Sequence, residues 1–119
     1  MGESKLIELL HKQRRRIERV RVKWDALYGP EGSAPSFRCR VLDASIAGAR
    51  LELVDDDGGH LDLILVELDA TELGANDLTL RAVVRNLSSN KGRRVIGVEF
   101  LDTHNRTRLA LTELIARHS

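Results

Sequence analysis

From residue 19 onward this sequence alternates with a period of two, and that leaves few folds open. Val20, Val22, Trp24 and Ala26 alternate with Arg19, Arg21, Lys23 and Asp25. In an extended strand this puts apolar side chains on one face and charges on the other. FRCRVL (37–42) reads the same way, with Phe37, Cys39 and Val41 on one face. ARLELV (49–54) alternates Leu51 and Leu53 with Arg50 and Glu52. LDLILVEL (61–68) is apolar at most positions, which predicts a central strand. LTLRAVVRNL (78–87) and RRVIGVEFL (93–101) complete six strands.

The links between them carry turn chemistry. YGPEGSAPS (28–36) holds both prolines and two glycines and reads as a loop. DDDGGH (55–60) predicts a β-hairpin, because Asp-Gly-Gly reaches positive φ cheaply. ELGANDL reads as a loop, and SSNKG predicts a further hairpin turn. After Asp102 the period changes. Thr103 to His118 predicts a helix with Asp102 or Thr103 as N-cap and Leu109, Leu111, Leu114 and Ile115 as its apolar stripe. SKLIELLHKQ (4–13) has the spacing of a short amphipathic helix. The expected architecture is mainly β: a six-stranded antiparallel barrel, a C-terminal α-helix packed on it and a short N-terminal helix. Residues 1–13 form an extension, and 14–119 form one domain.

Net charge is only +1, but its distribution is uneven. Residues 1–23 hold eight basic side chains and three acidic ones, whereas 55–77 hold eight acidic ones and no Lys or Arg. A basic N-terminal segment on such a body implies an anionic ligand near it. Cys39 is the sole cysteine, so no intrachain disulfide forms and a reducing compartment is the default. The N-terminus lacks the pattern of a secretory signal, and no apolar run nears the roughly 18 residues of a membrane span. The expectation is a cytoplasmic protein that does not enter a membrane.

Two stretches carry chemistry. RRRIER (14–19) reads most plainly as a solvated basic patch. Its sharper reading is a segment that wraps an anion, since a guanidinium fork donates two parallel hydrogen bonds to phosphate oxygens or to O6 and N7 of guanine. DASIAG (43–48) reads most plainly as an Asx or Ser turn between strands. Beyond that, Asp43 can accept from N1–H and the exocyclic amine of guanine. Ser45 can bond a phosphate or base atom, and Gly48 lets a ligand approach the backbone.

R-x-x-x-R before the first strand, followed by D-x-S-x-x-G at the end of the second, resembles the signature of the PilZ domain family. AVVRN and IGVEFLD resemble that family's last strand pair and its lead into a helix. The resemblance spans roughly residues 14–117. It implies a PilZ-type barrel, a non-enzymatic role as receptor for cyclic di-GMP, and no cofactor other than that ligand. Carried over, Arg15 and Arg19 grip guanines and phosphates, Asp43 and Ser45 contact a guanine, and Gly48 shapes the backbone beside it. Arg14 stacks on a guanine face, which favours an intercalated ligand pair. Arg85 and Gly97 stand where the family tends to keep such residues. Ala44 and Ala47 are smaller than the family's usual apolar residues at those positions.

An enzyme is disfavoured. His11, His60, His104 and His118 are scattered, and none has metal-ligand spacing with Cys39 or an acid, so no catalytic or metal site is assigned. Three readings remain: a receptor whose 14–19 segment orders on binding and signals to an unidentified protein partner, a PilZ-like scaffold that binds protein and no nucleotide, and an RNA or DNA binder using Arg19, Arg21 and Lys23. The scaffold has no need of Arg15, Arg19, Asp43 and Ser45 together. A nucleic acid polymer is disfavoured by 3% aromatic residues and by the acidic 55–77 region. The expected state is a monomer or weak homodimer.

Overall fold

The computed structural model describes residues 19–74 and 76–119. Strands β1 (Val20–Pro30), β2 (Phe37–Ala44), β3 (Gly48–Leu53), β4 (Leu63–Leu68), β5 (Leu78–Asn90) and β6 (Arg93–Leu101) precede helix α1 (Asn105–His118). All paired strands are antiparallel and close into a barrel in the order β1-β2-β3-β6-β5-β4. Closure removes the exposed sheet edges. The predicted N-terminal helix falls outside the described residues.

The alternation fills the barrel. Cys39, Val41, Leu51, Leu53, Ile64, Val66, Leu80, Ala82, Ile96 and Val98 are buried inside it. Burying a side chain of Val, Leu or Ile size contributes about 1.5–3 kcal/mol, so this interior is the main source of stability. β4 is half-buried rather than central, since every strand of a closed barrel has an outer face. Ile64, Val66 and Leu68 point in, while Leu63 is exposed.

The DDDGGH stretch is not a hairpin. β3 pairs with β2 and β6, and β4 pairs with β1 and β5, so residues 54–62 cross between strands that are not neighbours. Glycine gives the loop its freedom, but the aspartates fix it. Asp55 takes Arg38 through two side-chain bonds of 3.0 Å, and Asp56 pairs with Arg94. Asp56 and Asp57 also accept from the Gly58 and Gly59 N–H groups at 2.9 and 2.8 Å. The true tight hairpin is β5–β6. It turns at Lys91 and Gly92, whose φ angles of 52° and 83° suit a type I′ turn. The first strand also outruns its expected end. Tyr28, Gly29 and Pro30 pair with Val66, Leu65 and Ile64 and close the barrel.

α1 caps the barrel with Leu111, Leu114 and Ile115 buried, and the His118 ring stacks on Trp24 with centroids 4.7 Å apart. These positions follow i, i+3, i+4, i+7 on one helix face. Leu109 belongs to the opposite face and is 69% exposed, contrary to the predicted stripe. The N-cap is His104, not Asp102 or Thr103. Asp102 has φ 55°, and its carboxylate is taken by Arg81 at 2.5 Å.

Candidate functional site

A β-bulge builds the site. Along β2, Cys39 and Val41 face inward, and strict alternation would send Asp43 inward too. The β2–β3 register slips between Val41 and Asp43, which leaves one extra residue on β2. Asp43 therefore stands opposite Arg50 of β3 and Arg21 of β1, on the outer wall, while Ala44 takes the inward place. Asp43 is nevertheless only 6% exposed.

Two cations reach its carboxylate. Arg50 Nε donates to Oδ2 at 2.5 Å. Arg19 Nη1 lies 3.9 Å from Oδ1, within ion-pair range and beyond a hydrogen bond. Oδ1 is buried and accepts no hydrogen bond among the described residues. The last arginine of the first motif thus meets the aspartate of the second. Arg14 and Arg15 lie outside the described residues.

Ser45 turns into its own loop, as in the plain turn reading. Its N–H donates to the Gly48 carbonyl at 2.8 Å, and its Oγ accepts from the Ala47 N–H at 3.1 Å. The Ala47 carbonyl accepts from the Phe100 N–H at 2.8 Å, which ties the loop to β6. Gly48 has a packing cause: a Cβ there would overlap the Val98 carbonyl oxygen. Beside this loop opens a groove of about 430 Å³ lined by Val20, Ala44, Ser45, Ile46 and the α1 residues Thr112, Ile115, Ala116 and Ser119. Arg85 is paired with Glu99 at 2.9 Å, and Gly97 lies against Asn86.

A larger cleft of about 670 Å³ lies over β1, β2 and β4. Its arginines are already neutralised, Arg38 by Asp55 and Arg40 by Asp25 and Glu52. The Asp43 wall is the better anion site, because two arginines, Arg19 and Arg50, share one carboxylate there, whereas the larger cleft is also lined by Asp25, Glu67, Asp69 and Asp77. Sequence reasoning missed Arg50. Its signal was an acid and a base flanking a short turn, which becomes readable once the hairpin register is known. Also missed was buried Glu52, which gathers Arg40, Arg93 and Asn90 at 3.8, 3.5 and 3.3 Å. Among the described residues no group of three or more His, Cys, Asp or Glu is placed to hold a metal, and no helix is long and apolar enough to cross a membrane.

The PilZ domain family matches residues 13–117, nearly the whole chain. This chain belongs to the PilZ domain family. No curated protein matches the sequence at a significant level. Among solved structures, the PilZ domain with c-di-GMP of YcgR from Escherichia coli aligns with a TM-score of 0.64 at 16% identity, covering 89% of this chain and 92% of that one. YcgR from Escherichia coli in complex with c-di-GMP aligns at 0.60 and 18% identity, covering 87% of this chain and 45% of that one. MrkH of K. pneumonia aligns at 0.61 and 16% identity, covering 85% and 47%. This PilZ chain spans slightly under half the length of those two longer chains. At such identities the likeness is one of fold.

Proposed function

We propose that this PilZ protein is a non-enzymatic cytosolic receptor for cyclic di-GMP. The observation that carries the reading is the meeting of Arg19 and Asp43, which joins the two ends of a donor-and-acceptor set suited to guanine and phosphate. Asp43 presents an acceptor for guanine N1–H and the exocyclic amine. Arg15 and Arg19 supply forks for phosphate oxygens or the guanine O6 and N7 edge. Arg14 stacks on a base, and the apolar groove beside Ser45 gives a purine a dry wall. The c-di-GMP complexes of the PilZ neighbours from Escherichia coli support the ligand class.

Binding recruits residues 14–19, which moves the preceding extension and is read by a partner protein. A polymeric polyanion binder behaves differently with salt, since it releases many counterions. Equilibrium dialysis against cyclic di-GMP from low to high salt is the test. Binding that weakens only moderately supports the receptor. No cyclic di-GMP binding at low salt, with steeply salt-dependent binding of RNA or DNA, contradicts it.

A further inference from the structure

Asp43 is shared unequally. Arg50 holds Oδ2 through a 2.5 Å hydrogen bond, whereas Arg19 stands 3.9 Å from Oδ1 with no hydrogen bond between them. Arg21 lies opposite Asp43 on β1 and makes no ion pair with it among the described residues. A carboxylate this deeply buried needs a cation or hydrogen-bond donor facing it. If Arg19 turns toward a ligand phosphate or guanine, Arg50 is the cation that remains.

Arg50 is built to stay. β3 is clamped to β6 by the close approach of Gly48 to Val98 and by the register of Arg50 opposite Gly97. Gly97 sets no side chain beside the guanidinium. The Arg50 bond also orients the carboxylate, because it occupies Oδ2 and leaves Oδ1 on the Arg19 side.

We infer that Arg50, which lies outside both sequence motifs, is the positioning residue of the ligand site. It holds Asp43 by Oδ2 and aims Oδ1 at the guanine edge once Arg19 has left. The inference rests on the receptor reading.

A double-mutant cycle isolates such indirect action. Cyclic di-GMP is titrated calorimetrically into the unmodified protein, Arg50→Gln, Arg50→Lys, Asp43→Asn and the Asp43→Asn/Arg50→Gln pair, with thermal unfolding of each free protein. Arg50→Gln is expected to weaken binding by about tenfold or more, the scale of a lost charge-assisted bond. Arg50→Lys is expected to restore part of it. In the Asp43→Asn background, Arg50→Gln is expected to change affinity by less than about twofold, since no carboxylate is left to position. Equal losses in both backgrounds, or no loss in Arg50→Gln, overturn the proposal. Should Arg50→Gln fail to fold, Arg50→Lys carries the same comparison. Failure of the unmodified protein to bind refutes the receptor reading itself, and Arg50's role with it, before any variant is compared.

Discussion

Gly48 and Val98 touch backbone to backbone: the space a Cβ would fill at Gly48 is taken by the Val98 carbonyl oxygen. A glycine expected to make room for a ligand makes room for a neighbouring strand. Gly48→Ala is therefore expected to destabilise the barrel by about 3 kcal/mol, because a backbone carbonyl cannot turn aside as a flexible side chain can. Urea unfolding measures this. An unchanged midpoint would contradict the packing described for β3 and β6.

Much of the fold was legible because alternation in a barrel maps directly onto inside and outside. Six strands and a C-terminal helix follow from Val22 to Phe100 and from Leu111 to Ile115. Pairing was less legible. Asp55 to Gly59 has the composition of a hairpin turn, but composition gives a loop its freedom and does not name its partner strands. The bulge at Leu42 was missed too: the alternation of Phe37 to Val41 reverses at Leu42 and Asp43, which reads equally well as the end of a strand, and yet the bulge decides which way Asp43 faces. Arg19, Asp43 and Ser45 came from motif spacing. Arg50 needed the register.

Burial pushes the Cys39 thiol up to about 12, with Asp25 adding to the effect. Only the thiolate is a good nucleophile. In the folded protein at pH 8, Cys39 is expected to resist a thiol-specific chromogenic disulfide, and one thiol per chain should react promptly after denaturation. Prompt reaction of the native protein would show that this part of the barrel opens readily.

Hydrogen bonds from the Arg38 guanidinium and backbone N–H hold Asp55 below its ordinary value, and the Arg94 guanidinium does the same for Asp56. A carboxyl depressed in the folded state adds stability above its ordinary value of 3.8 and loses it as pH falls through the folded value. Stability is expected to be level from neutral pH to about 4 and to fall below it. Asp56→Asn should start less stable at neutral pH and fall less steeply in acid. Parallel curves for the two proteins, by urea unfolding at each pH, would contradict the role given to the Arg94–Asp56 pair.

Arg14 is proposed to stack on a guanine and so favour an intercalated pair of ligands. Arg14→Leu is expected to reduce the bound ratio from two ligands per site to one, as read by calorimetric stoichiometry. A ratio that stays at two would remove Arg14 from the site.

Calorimetric titration of cyclic di-GMP into the unmodified protein, beside Arg15→Ala and Asp43→Ala, tests the central claim most directly. Low-micromolar or tighter binding that disappears in both variants is the predicted result. An unmodified protein that takes up no ligand would contradict the receptor account and leave a barrel that serves as a protein-binding scaffold.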